Sequence, residues 1–252
     1  MQLMFGVGAL WGQRVDVNGN NIGIGPHQFA ILQDSSIDFD FEQKDLYSQL
    51  GFPLDAARGK GKISAKSKVA RIYTALYADL FFGEAFSSGE VNVSQNELIT
   101  LGAGGLYTVA QSAAFVADLG VFINAGSQLQ LQLTTTAPSN VQYGVNASTG
   151  VYSFNTSIAG TQLAISYVYT DTGGFEFTIH NNLMGFTPTF QATLYHNNPT
   201  LRSTGQMTLR LNTCISSRLT FPTRVGEYTM PDFDFMAIGD GGNRVGVIAF
   251  SE

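Results

Sequence analysis

The chain has 252 residues, with 13 Lys and Arg against 19 Asp and Glu, a formal net charge of −6 and 13% charged residues. That balance argues against a clamp on nucleic acid, because phosphate binding draws on an excess of cations. It leaves room for a surface that DNA passes without being held. The glycines, the abundant Thr, Ser, Asn and Gln, and aromatics that are mostly Phe and Tyr fit short strands joined by tight turns.

Cys214 has no second cysteine to bridge to, and nothing points to an oxidising compartment. The apolar stretch from Met1 to Leu10 has no Lys or Arg before it and makes a poor secretory signal. No apolar run approaches the roughly 18 residues of a membrane-spanning helix. The expectation is a soluble, mostly-β protein made in a reducing cytoplasm, without a membrane partner.

In chain order, Leu3 to Val17 reads as a strand or arm, followed by a hairpin-turn signal at Asn18-Gly19. Ile37-Asp38-Phe39-Asp40-Phe41-Glu42 alternates apolar and acidic side chains, the pattern of a strand with two unlike faces. A turn-rich loop, Leu50 to Asp55, leads to a second alternating run from Lys60 to Val69. The two runs pair naturally as antiparallel neighbours, with Asp38, Asp40 and Glu42 across from the lysines. Arg71 to Phe82 is the best helix candidate, with Ile72, Ala75, Leu76, Asp79 and Leu80 near helical spacing and Gly83 as a stop.

Composition shifts after Phe86, and from Glu97 to Thr172 there is no Lys or Arg. Strands are predicted at Tyr107–Ala110, Val116–Ile123, Gln128–Leu133, Val141–Val145, Val151–Phe154 and Leu163–Tyr169. The reading is a small all-β subdomain, residues 97–172, inserted into a main domain of residues 1–96 and 173–252. The alternative is one large sandwich that simply continues. Beyond it, Phe175, Phe177 and Ile179 alternate with Glu176, Thr178 and His180. Phe190–Tyr195 and Gln206–Ile215 look like a hairpin across His196 to Pro199. Asp232-Phe233-Asp234-Phe235 echoes the earlier acidic alternation, and Val245 to Phe250 is a short last strand.

Catalytic chemistry has little to build on. His27, His180 and His196 have no metal-ligand spacing to one another or to Cys214. Cys214 reads as a structural thiol. The carboxylates on the two acidic runs could be imagined as a glycosidase pair, but the alternation is equally that of a solvated strand face. The glycine-rich segments at Gly102 and Gly239 open no helix and are not phosphate loops. No cofactor, metal or catalytic set is expected. Arg58, Lys60, Lys62, Lys66, Lys68 and Arg71 form a basic run without an acid. It reads as a nucleic-acid strip, as a surface strand whose lysines pair with acids and guard an edge, or as a docking surface for an acidic patch on another copy.

Several phrases together resemble the major tail tube proteins of long-tailed bacteriophages. They are Gly150 to Asn155 leading to Ala159 to Tyr169, Ala113 to Val121, Asn182 to Phe190, Leu209 to Ser217, and Tyr228 to Phe235, spanning residues 28–250. The resemblance implies a mainly-β, tail-tube-type β-barrel or sandwich of two packed sheets, with one flanking helix and the inserted small β subdomain facing outward. It implies a structural virion protein, not an enzyme, that is made in the host bacterial cytoplasm. Six copies would form a ring and rings would stack into the tail tube, a conduit for DNA delivery into the host. The implied partners are further copies of the chain, a tape-measure protein, tail terminator and tail-tip proteins, and double-stranded DNA passing through the lumen without specific binding. On that picture the candidate lumen-facing residues are Asp38, Asp40, Glu42, Asp232 and Asp234. The candidate inter-ring contacts are Arg58, Lys60, Lys62, Lys66 and Lys68, with the loop Leu46 to Gly59. The alternative is a non-enzymatic β-sandwich of a tail tip or capsid that binds carbohydrate or a receptor, using tyrosines such as Tyr167 and Tyr169. A hydrolase is a third class.

Overall fold

The computed structural model describes residues 8–16, 18–23, 25–29, 32–47, 49, 51–71, 73–123, 129–197, 206–240 and 242–250. The described chain is mainly β. It divides into two compact units, one of residues 1–86 and 177–252 and one of residues 87–176. In order, the strands are β1 (Ala9–Val15), β2 (His27–Phe29), β3 (Leu32–Tyr47) and β4 (Pro53–Val69), then a helix at Thr74–Phe82. There follow β5 (Ser87–Thr100), β6 (Leu106–Thr108), β7 (Phe115–Ile123), β8 (Gln132–Leu133), β9 (Gln142–Asn146), β10 (Val151–Phe154) and β11 (Gln162–Glu176). The chain finishes with β12 (Thr189–Asn197), β13 (Gln206–Thr220), β14 (Asp232–Ile238) and β15 (Gly246–Phe250). Among the described residues no helix is long and apolar enough to cross a membrane.

The first unit is built on one 8-stranded antiparallel sheet, in the order β2-β1-β12-β13-β14-β4-β3, with β15 also on β13. β2 and β14 are four strand spacings apart along this order, about 19 Å in a flat sheet. Yet the rings of Phe29 in β2 and Phe233 in β14 meet at 5.2 Å. The sheet is therefore rolled around its own core. Strands from its two ends face each other as two packed layers would, while the hydrogen-bonded ladder stays continuous. Phe29 in one edge strand and Leu32 in the other are also only three residues apart, a span of about 11 Å at most. Phe233 sits at the centre of the roll, with Phe190 at 5.9 Å, Phe235 at 6.0 Å, Phe81 at 6.3 Å and Tyr77 at 6.4 Å. Leu10, Val69, Leu76, Leu80, Leu211 and Cys214 complete this core. Burial pushes the Cys214 thiol up to about 12, as expected of a structural cysteine.

The helix differs from its predicted form. It begins at Thr74 rather than Arg71, makes one α-turn to Leu76 and widens into a π-turn at Tyr77–Phe82; Ile72 lies outside the described residues. Gly83 closes it in the left-handed region, its N–H bonding back to Ala78. The apolar residues of the wide turn face the rolled sheet, and Leu80 seats directly on the backbone of Gly12 in β1, where a side chain would collide with it. The Asn18-Gly19 turn forms between β1 and β2, its backbone amides of Asn18 and Asn20 held at 2.8 Å by the Asp16 carboxylate. β12 and β13 pair as the predicted hairpin, though residues 198–205 of its connection lie outside the described ones. Phe177 to Ile179, read as a continuing strand, carry no strand; β11 ends at Glu176, and Phe177 instead packs on Phe82 at 5.2 Å.

β14 and β15 lie end to end on the same side of β13, pairing with Thr213–Thr220 and Met207–Leu211 respectively. They form one strand line interrupted by the loop from Gly239 to Val245. Asp240 organises that loop, accepting from the amides of Gly242 and Arg244 at 2.9 Å and from Asn212 at 3.1 Å.

The second unit has a core of its own. A 3-stranded sheet, β5-β11-β7, and a 4-stranded sheet, β6-β10-β9-β8, enclose Val121, Tyr143, Tyr152, Leu163, Ile165 and Tyr167. Its limits are Ser87 and Glu176, not 97 and 172, because β5 and β11 pair along nearly their whole length, down to Ser87 opposite Glu176. Two carboxylates organise its tyrosines. Asp118 accepts from Tyr143 at 2.5 Å and Tyr152 at 2.7 Å. Glu97 accepts from Tyr107 at 2.7 Å and Tyr167 at 2.6 Å. Burial first, and the bond to a carboxylate second, push the Tyr107 phenol up to about 12 and raise Tyr143 and Tyr152 well above the usual phenol range. On the predicted strand Gln128–Leu133 the three leucines alternate with glutamines, yet Leu129 and Leu133 are exposed, only Leu131 enters the core, and β8 itself is Gln132–Leu133.

Two expectations follow. A chain in which Ser87–Glu176 is replaced by a short glycine linker should retain the cooperative urea transition of the first unit, because each unit closes its own core; an unfolded product would contradict this. In the second, raised phenol values mean stability that is complete below the unfolded value of 10.0 and lost as pH rises through the folded values. Tyrosinate absorbance of these residues should then appear together with loss of the β circular-dichroism signal, and simple titration of a still-folded protein near the unfolded value would count against it.

Candidate functional site

The residues singled out by charge converge on one surface. β3 and β4 pair antiparallel as expected, with Asp40 opposite Lys62, Asp38 opposite Ser64 and Asp34 opposite Lys68. β14 then lies on the other side of β4, placing Asp232 opposite Lys68 and Asp234 opposite Lys66. β13 adds Arg218 opposite Asp234. Residues directly opposite one another share a face of the sheet, so Asp34, Asp38, Asp40, Asp232 and Asp234 are interleaved with Lys62, Lys66, Lys68 and Arg218. The other parity, Ile37, Ile63, Ala65, Phe233 and Phe235, belongs to the core.

Asp40 thus lies across from the lysine row as expected, and the second acidic run joins the same face. The cause is a long-range pairing, β4 with β14, that puts the second acidic run beside the lysines. Lys68 reaches Asp232 at 4.0 Å, with both side chains partly solvated. Glu42 is set apart by a bulge between Phe41 and Gln43, and packs beside Gly59. The predicted inter-ring set also divides. Lys66 and Lys68 lie within the charge mosaic, whereas Arg58 and Lys60 stand on the far half of the β3–β4 ribbon.

That far half is an arm. β14 accompanies β4 only from Ile63 to Lys68, yet β3 and β4 stay paired out to Tyr47 and Pro53. Most of Leu46 to Gly59, expected as a loop, is therefore strand. Phe41 lies against the bare backbone of Gly61, and the Arg58 guanidinium sits 4.7 Å above its ring. Phe39, Phe41, Leu46, Tyr47, Phe52 and Leu54 are all exposed, Phe52 at 85%. The outer edge of β3 has no strand partner among the described residues. Two further turns carry solvated apolar tips, Leu183 and Met184 on one and Val225 and Tyr228 on the other.

A buried cluster escaped the sequence reading. Asp79, 2% exposed, lies on the π-turn; His27 Nε2 is 3.2 Å from its Oδ2 and Arg14 Nη1 is 3.4 Å from its Oδ1. Arg14 also donates to the Gly83 carbonyl at 2.8 Å. The cluster ties the helix to β1 and β2 with charge-assisted bonds. Its signal in the sequence was Asp79 among apolar helix positions. His180 is held by Glu84 at 2.9 Å. Among the described residues no group of three or more His, Cys, Asp or Glu could hold a metal ion. Tyr167, which a sugar-binding surface would have used, is fully buried with its hydroxyl on Glu97.

Lys68 and Asp232 should act as a solvated pair. Lys68→Ala and Asp232→Ala should each shift urea stability by under about 0.5 kcal/mol, with a double-mutant coupling of about 0.2–1 kcal/mol. A coupling several times larger would mean that the face is dry. No protein-family model and no curated protein matches this chain.

Proposed function

We propose that this chain is a structural subunit that assembles with copies of itself, and that the assembly is the tail tube of a long-tailed bacteriophage, built from stacked hexameric rings. The observation that carries the reading is the free outer edge of the 16-residue strand β3 together with its exposed apolar arm. An edge of that length presents a row of unpaired N–H and C=O groups, which proteins cover, blunt or pair. Here the edge carries Phe39 and Phe41 on one face and Asp38 and Asp40 on the other, and a sister subunit is the covering that satisfies both. Rings closed through such edges leave no open ladder.

The arm's tip, with Leu46, Tyr47, Phe52 and Leu54, is placed in this reading against the neighbouring ring, where burial of each apolar side chain contributes on the order of 1 kcal/mol or more. The charge-balanced sheet face suits a passage for DNA. Lysines answered by nearby aspartates hold few phosphates, and the polymer is neither clamped nor strongly repelled. In the same reading the unit 87–176 projects outward, the tape-measure protein occupies the lumen during assembly, and terminator and tip proteins meet the end rings. No catalysis and no cofactor are assigned.

Negative-stain microscopy of the purified protein at high concentration should show rings or hollow tubes. Discrete monomers at all concentrations, by light scattering and by microscopy, would overturn the reading.

A further inference from the structure

Besides β3 and the 3-residue β2 that ends the order on the other side, one more strand of the first unit has an edge without a partner among the described residues, and it complements that of β3. β15 is bonded to β13 on one side, and among the described residues its other side has no strand partner. It carries no charge, yet Val247 is 56%, Ile248 46% and Phe250 58% exposed. Its faces follow from register. Ile248 stands opposite Leu209, on the core side of the sheet, and Val247 stands opposite the exposed Arg210, on the polar side. In β3, Phe39 stands opposite Ile63 on the core side and Asp40 opposite Lys62 on the polar side.

We infer that β15 of one copy pairs with the outer edge of β3 of the next, so that the sheet runs on from subunit to subunit. The inference rests on the assembly reading and names the two surfaces that meet. Joined in this way, Phe39 and Phe41 extend the apolar row of Ile248 and Phe250, and Asp38 and Asp40 take the polar face beside Val247 and Ala249, two strand spacings, about 10 Å, from Arg210 on β13. A slip of one residue would set aspartates against Phe250, so the faces themselves select the parity. Like edges do not serve. Two copies of β3 would oppose Asp38 and Asp40 to their own kind, and two copies of the uncharged β15 would leave the long β3 edge uncovered. The pairing is therefore head to tail, the class of contact that generates a ring when its rotation closes and a filament when it does not.

The test uses full-length chains carrying single cysteines, with the native Cys214 buried and unreactive. Asp40→Cys and Ala249→Cys proteins are mixed, allowed to assemble and treated with a short bis-maleimide. A mixed dimer that neither variant forms alone is the expected result, absent when Phe39→Cys replaces Asp40→Cys. Rings or tubes without the mixed dimer would overturn this interface while leaving the assembly reading intact. Equal cross-linking from Phe39→Cys would overturn the facial match. Neither assembly nor cross-link would overturn both.

Discussion

Phe233 sets the form of the larger unit. Its ring touches residues from β2, β12, β14 and the helix, and only a rolled sheet brings them within reach. A flat sheet would leave one face to be covered by another layer. Rolling lets strands from opposite ends cover each other, with the helix closing the remaining side. The roll extends only as far as side chains are available to fill it. Past Ile63 the core ends, and the β3–β4 ribbon leaves the sheet with Phe39 and Phe41 uncovered. The apolar exposure of the arm thus follows from where the interior runs out.

Period-two alternation made much of this readable in advance. It placed β3 beside β4, put β12 and β13 in a hairpin, and located β14, while β15 was legible as a short apolar run after a turn. The failures have physical causes. β5 was missed because its exposed positions include Val91, Val93 and Leu98 and its backbone turns to positive φ at Asn96, so no clean alternation survives. The boundary at 97 was drawn on composition, but the cation-free stretch runs from Ile72 to Leu201, and composition does not mark where a ladder begins. The helix was read from apolar spacing, which does not reveal that a turn widens to carry Asp79 to Arg14 and His27. Tyr167 was misjudged because β11 is buried on both faces along its middle, from Leu163 to Tyr167.

The charge pattern was the hardest part to read, since pairing between β4 and β14 joins residues far apart in sequence. Seen alone, each segment has a strong character, one acidic and one basic. Side by side they offset each other, and neither sign dominates that face. The sequence phrases on which the family expectation was built include core positions such as Phe190, Leu211, Cys214, Phe233 and Phe235. Such positions report the demands of a β interior, which explains why each phrase is individually unspecific.

The strand line along β13 is written in two pieces, each pinned by its own ladder. The residues between them are held by Asp240 and set neither register. The chain can therefore grow longer at that point without shifting a single side chain in the interior. A peptide spliced between Gly242 and Arg244 would be displayed by the folded chain, and in the assembly proposed above every copy would carry it at the same spacing.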